Sequence, residues 1–234
     1  MTPRSARSPS RSRPRTARKP GVRELAAQAT RDSLLRAATK TFAKYGLSGA
    51  SVEKISKAAK SYDRMIYYYF GSKEGLFVAV LEEAYRRFDE AEAAIELDSE
   101  RPVESLLEIV AFVMAYYREH PEFVTLLNSE NLHRGRHISK SRRAGEYSSP
   151  AIGVVGQVLR GGVDKGLFRA DVAARDVYLL IAATGYFYQS NRYTLSAFLG
   201  EDLSQPEAVA HWEAFVKQSV LRTVLLDARS MTAS

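Results

Sequence analysis

From Glu24 to the end of the chain, apolar residues recur at intervals of three and four, and no run alternates strictly at every second residue. Such spacing fits one face of a helix and argues against half-buried strands, so the chain reads as all-α. Breakers and caps divide it: Gly46, Gly71 and Gly166 end helices, Ser51 and Ser72 are good N-caps, and Pro102, Pro121 and Pro206 suit first turns. The helices expected between them span 30–45, 52–59, 62–70, 73–95, 102–120, 121–131, 150–165 and 171 to 188 or 199. A last one is announced by the capping box Ser204-Gln205-Pro206-Glu207, which makes about nine. Isolated helices below roughly 12–15 residues are marginal in water. The segments 52–59 and 62–70 therefore need 30–45 and 73–95 as a platform, and two short helices joined by a tight turn on such a platform form a helix-turn-helix.

Charge is distributed to match. The 234 residues hold 34 Lys and Arg against 27 Asp and Glu, a formal charge of +7. Residues 1–23 carry eight basic groups and no acid, 25–71 carry eight basic against three acidic, and 72–234 carry 18 against 23. The positive charge thus coincides with the helix-turn-helix and the segment before it, as an acidic partner such as nucleic acid or anionic lipid would require. The leading segment, 1–24, is nearly all Arg, Ser, Pro, Ala and Thr up to position 20. It buries too little apolar surface to offset its ordering entropy and is expected to be a disordered arm.

Several function classes are excluded by what is missing. With no cysteine there are no disulfides, thiolate zinc sites or cysteine nucleophiles. No apolar region follows the basic stretch, so no secretory signal is expected, and Pro3, Pro9, Pro14 and Pro20 oppose the amphipathic helix of a transit peptide. The most apolar run, 177–188, has 12 residues where roughly 20 are needed to span a bilayer. A soluble, cytoplasmic protein with no membrane partner is expected. An enzyme is not, because the chain lacks a Gly-rich phosphate loop, a nucleophile elbow and the two Glu-x-x-His motifs that a di-iron bundle requires. No cofactor or metal is expected either: His133 and His137 are four apart, but Gly135 intervenes and no carboxylate pattern supports a zinc site.

Residues 51–76, SVEKISKAAKSYDRMIYYYFGSKEGL, resemble the DNA-binding signature of the TetR family of transcriptional regulators. The match rests on Ser51, Val52, Ile55 and Ala59, then Ile66-Tyr67-Tyr68-Tyr69-Phe70, then Lys73, Glu74 and Leu76; the helix ending Phe42-Ala43-Lys44-Tyr45-Gly46 is also typical. Two features depart from the pattern. The family's usual Ala-Gly-Val-Ser turn is here Ala59-Lys60-Ser61-Tyr62, and a small residue early in the recognition helix is replaced by Arg64. Lys60 in place of glycine makes a left-handed turn less comfortable. Residues 120–138, HPEFVTLLNSENLHRGRHI, resemble a segment of a TetR subgroup that controls catabolic operons, nicotinate degradation among them.

The resemblance implies a three-helix helix-turn-helix domain, 25–71, joined by a long helix to a helical effector-binding and dimerisation domain, 72–234. It further implies a ligand-responsive repressor that binds a palindromic operator in double-stranded DNA as a homodimer; the alternative is an all-helical enzyme or adaptor. It places Ser51, Tyr67, Tyr68 and Lys73 at phosphate contacts, and Ser51 and Lys73 do stand at helix N-termini, where free N–H groups favour anions. Tyr69 is assigned to the interior. Base reading falls to Tyr62, Asp63, Arg64 and Met65: Arg64 either forks onto a guanine or grips a phosphate, Asp63 accepts from cytosine or holds Arg64, and Met65 meets a thymine methyl. The arm is a solvated tail, a source of counterion release, or a minor-groove anchor.

In the C-terminal domain, Phe112, Tyr116, Phe123 and Tyr186 are aromatic candidates for a pocket holding a small organic effector, or else ordinary core. His133 and Arg134, in the basic stretch 131–143, offer a place for a carboxylate; the same stretch also fits a solvated loop. The last two long helices pair with their copies in the family, which makes Tyr188, Trp212, Val216 and Val220 the interface candidates, although Trp212 equally suits a core.

Overall fold

The structure is a computed structural model that describes residues 21–98, 100–141 and 149–226. Among these residues the chain forms nine α-helices: α1 Val22–Gly49, α2 Val52–Ala58, α3 Asp63–Phe70, α4 Lys73–Ala93, α5 Pro102–Glu119, α6 Pro121–Leu132, α7 Ser149–Asp164, α8 Ala174–Leu199 and α9 Pro206–Val224. A short 3-10 helix, Ile138–Lys140, follows α6. No described helix is long and apolar enough to cross a membrane.

Helix α1 begins at Val22, well before position 30 and inside the segment expected to be a disordered arm. Residues 22–29 are exposed all round, so no apolar stripe marks them. Their Leu, Ala, Glu and Gln are strong helix formers, and Glu24 lies in the first turn, where a carboxylate complements the dipole. The rest of the arm, with seven of its basic residues, lies outside the described residues. At the other end Gly46 takes φ 66° and ψ 177°, a non-helical conformation that ends the regular helix where expected; across this kink one further turn, to Gly49, carries buried Leu47 onto the core.

Local chemistry then builds the helix-turn-helix. The Ser51 hydroxyl accepts the Lys54 N–H at 3.2 Å and caps α2, and the Ser72 hydroxyl accepts the Gly75 N–H at 2.9 Å and caps α4. Lys60 does adopt the left-handed conformation, at φ 51°. The turn is fastened from outside, since the Ser33 hydroxyl of α1 donates to the Ala59 carbonyl at 3.1 Å. Beneath it Leu34 and Phe42 of α1, Ile55 of α2, Ile66 of α3, and Leu76 and Phe77 of α4 form one fully buried core.

A second core lies around α5, which packs against α7, α8 and α9. Helix α4 serves both cores, giving Phe77 and Leu81 to the first and Phe88 to the second. Helix α6 also bridges them, since Leu126 is buried in the N-terminal core while Phe123 belongs to the C-terminal one. The capping box at α9 does not form: the hydroxyl and N–H of Ser204 both bond Asp202, which competes for them two residues away, and Gln205 is the N-cap. A short extended pairing that the sequence pattern did not signal joins Phe168 to Leu225 and pins the end of α9.

The exposed, left-handed Lys60 makes one stability prediction. Lys60→Gly should relieve the side-chain penalty and stabilise the fold by about 1 kcal/mol after glycine's own entropy is counted. Thermal melting is expected to show a rise of a few degrees, and an unchanged or lower Tm would contradict the strained turn.

Candidate nucleic-acid interface and effector cavity

Helix α3 is amphipathic in a way that separates support from surface. Ile66 is fully buried, and Tyr69 packs half-buried on the N-terminal core, as expected of it. Tyr62, Tyr67, Tyr68 and Arg64 are exposed, with Tyr68 at 77%. The Arg64 guanidinium lies 5.2 Å from the Tyr62 ring centroid, which orders it at the start of the helix with its donors open. Two candidates are placed differently from the sequence reading. Asp63 accepts a short hydrogen bond from the buried Ser56 hydroxyl, so it ties α3 to α2 instead of holding Arg64. Met65 is half-buried against the core, away from the exposed face.

The phosphate candidates gather at the rim. Ser51 spends its hydroxyl on the α2 cap, and the Lys73 ammonium donates to the Ala50 carbonyl at 3.1 Å, next to Ser51. Three further groups stand there to which the sequence reading gave no phosphate role. Tyr45 is 46% exposed, with the ammonium groups of Lys54 and Lys44 4.9 and 5.2 Å from its ring. The signal available for this cluster was the one-turn spacing of basic residues on α1 and α2 beside the predicted cap.

A cavity of about 490 Å³ opens between α4, α5, α6 and α8. Phe88, Tyr85 and Asp89 of α4, Tyr117 of α5, Phe123, Leu127 and Asn131 of α6, Ile138, and Tyr178, Leu179, Ala182, Ala183 and Tyr186 of α8 line it. Of the sequence candidates, Phe123 and Tyr186 are there; Phe112, Tyr116, His133 and Arg134 are not. Phe112 and Tyr116 pack on Phe88 outside the lining, at 5.8 and 4.9 Å. Nδ1 of His133 donates to the Ser129 carbonyl at 2.7 Å, and Arg134 is an exposed left-handed turn residue at φ 57°. The Tyr186 hydroxyl donates to Asn128 Oδ1, which also accepts from Ser190 at 3.0 Å. Burial raises the Tyr117 hydroxyl well above its ordinary range and pushes Tyr178 up to about 12, so both stay protonated donors. Glu92, one turn beyond Phe88, is buried, and its Oε1 has no partner among the described residues. Burial first, and the Asp89 charge second, raise its carboxyl to about 7.

The interface candidates also need correcting. Val216 and Val220 are buried in their own subunit's core, and Tyr188 is buried with its hydroxyl donating to the Leu203 carbonyl at 2.8 Å. Trp212 is half-buried, stacked on Tyr188 at 5.3 Å and on Phe215 at 5.5 Å. The apolar groups left outside include Phe187 and Phe198 of α8 and Phe215 of α9, each more than half exposed.

Residues 34–80 match the family described as bacterial regulatory proteins, tetR family, and residues 102–220 match the tetracyclin repressor-like C-terminal domain. The chain is 51% identical over 205 residues to the HTH-type transcriptional repressor NicS of Pseudomonas putida, covering 88% of this chain and 97% of that protein. It is 27% identical over 157 residues to the HTH-type transcriptional repressor SCO4008 of Streptomyces coelicolor, covering 67% and 76%. In fold it is similar to the fatty acid degradation regulator FadR from Bacillus halodurans, with a TM-score of 0.59 at 22% identity over 82% of this chain and 97% of that one.

Glu92 generates a pH prediction. The folded chain keeps this carboxyl protonated up to about 7, whereas its unperturbed value is 4.5. Between those values the folded state binds the extra proton, so the contribution of Glu92 to stability falls as pH rises through that window. Glu92→Gln should melt with the parent near pH 4 and become the more stable of the two toward pH 8. A variant that tracks the parent across the whole range would contradict a buried, unpaired carboxyl.

Proposed function

The chain belongs to the TetR family of bacterial transcriptional regulators, and on that premise we propose that two copies bind a palindromic operator and are released by a small organic effector held in the cavity. It is a DNA-binding regulator and not an enzyme. The observation that carries the operator reading is the surface of α3, where Arg64, Tyr67 and Tyr68 stand exposed over a buried Ile66. Arg64 reads a base edge in the major groove, while Tyr67, Tyr68, Lys73 and the Tyr45 cluster hold phosphates and fix the register. One short helix reads only a few base pairs, so a twofold pair reading two half-sites supplies the specificity. Phe187, Phe198 and Phe215 are the surface on which the second copy would sit.

The effector is an aromatic compound on this reading. Six of the cavity residues are aromatic, and their hydroxyls, with Asn131, supply hydrogen bonds to polar substituents. No lysine or arginine is among the described lining residues, so that lining suits an aromatic ring better than a carboxylate. Occupation of the cavity favours a placement of α4 in which the two recognition helices no longer match the operator, since α4 contributes to both cores. Acting on chromosomal DNA, the protein works in the cytoplasm.

Fluorescence anisotropy tests this with the duplex upstream of the protein's own gene and a scrambled duplex, at roughly 50 and 200 mM salt. Arg64→Ala is expected to cost about 1–3 kcal/mol on the upstream duplex and little on the scrambled one. Lys73→Ala should weaken both alike and reduce the salt slope by about one. No preference for the upstream duplex at either salt would end the operator reading; equal losses for Arg64→Ala on both duplexes would make Arg64 a phosphate contact.

A further inference from the structure

Residues 129–138 touch both halves of the molecule. Asn131 and Ile138 line the cavity. His137, fully buried, lies edge-on to Phe77 of α4 at 5.3 Å, and a Cβ placed on Gly46, at the kink of α1, would sit 4.0 Å from the Ser129 hydroxyl. Between these contacts the chain reverses through two left-handed residues, Arg134 at φ 57° and Gly135 at φ 70°. An arginine in that conformation persists only where its surroundings hold it.

One carboxylate does the holding. Glu130 is buried; its Oε1 accepts the N–H groups of His137 at 2.7 Å and Ile138 at 2.9 Å, and its Oε2 accepts from Nδ1 of His137 at 2.8 Å. The other ring nitrogen, Nε2, is buried with no partner among the described residues. Glu130 therefore accounts for the hydrogen bonding that sets the ring against Phe77.

We propose that Glu130 is the positioning residue that passes the state of the cavity to the DNA-binding half. This rests on the effector-released operator binding described above. An occupant pressing on Asn131 and Ile138 displaces the turn. Because three hydrogen bonds converge on one carboxylate, His137 moves with the turn as a unit. His137 bears on Phe77, one turn into α4 from Lys73, so its displacement shifts the platform under α2 and α3. The two-state element is the turn 130–138, seated or unseated against Phe77, and both the cavity and the operator bias it.

A mutant cycle in the full chain tests the proposal without the natural effector. Ala182 lines the cavity from α8, so Ala182→Phe fills it from that wall. Affinity for the upstream duplex is measured for the parent, Ala182→Phe, Glu130→Gln and the double variant. Melting curves verify folding, and Val155→Ala, a buried change on α7, controls for core damage. Ala182→Phe alone should weaken binding at least about fivefold, and in the Glu130→Gln background by less than about twofold. Val155→Ala should stay within about twofold of the parent. If Glu130→Gln does not fold, His137→Asn takes its place with the same pattern expected. Ala182→Phe within about twofold of the parent, or acting equally in both backgrounds, overturns the proposal. A parent chain that does not prefer the upstream duplex sinks the operator reading itself, which is a separate result.

Discussion

The packing of Phe77 is the constraint on which the DNA-binding half depends. Helices α2 and α3 have seven and eight residues, too few to persist alone. They exist because Ile55 and Ile66 insert into a core that Phe42 and Phe77 close edge to face, with ring centroids 5.1 Å apart. A buried phenylalanine ring is worth about 3–5 kcal/mol, against a typical domain stability of about 5–15 kcal/mol. The same ring meets His137 edge-on at 5.3 Å. Phe77 thus packs both in the core beneath α2 and α3 and against the segment that follows α6.

Much of the fold was legible because its punctuation is covalent or nearly so. Proline fixes φ, and α5 and α6 begin at Pro102 and Pro121 where the sequence put them. Ser51 and Ser72 cap the helices they were expected to cap. The start of α1 was not legible, since periodicity detects a buried face and residues 22–29 have none. Ser204 misled because the helix takes Gln205 as its N-cap, one residue later, and the Ser204 N–H that a capping box needs is bonded to Asp202. At Lys60 the sequence showed that glycine was missing; the structure shows that the left-handed turn forms regardless, at φ 51°.

The effector half was harder to read for a single reason. Helices α8 and α9 are apolar on more than one side, and spacing alone does not tell which side meets their own subunit. Val216 and Val220 face inward and Phe215 outward on the same helix. Likewise Tyr116 and Tyr117 are neighbours in sequence, yet only Tyr117 lines the cavity. Which aromatic faces empty space is decided by the helices around it. The surface of α3 was simpler, because there the exposed tyrosines needed only one buried residue, Ile66, to define the opposite face.

If two copies of this chain place α3 in successive major grooves of one operator, hydroxyl-radical footprinting on the duplex upstream of the gene gives two protected half-sites related by a dyad, their centres about 34–36 Å apart or a multiple of that distance. A single protected patch without symmetry, or protection equally strong on a scrambled duplex, would contradict that placement.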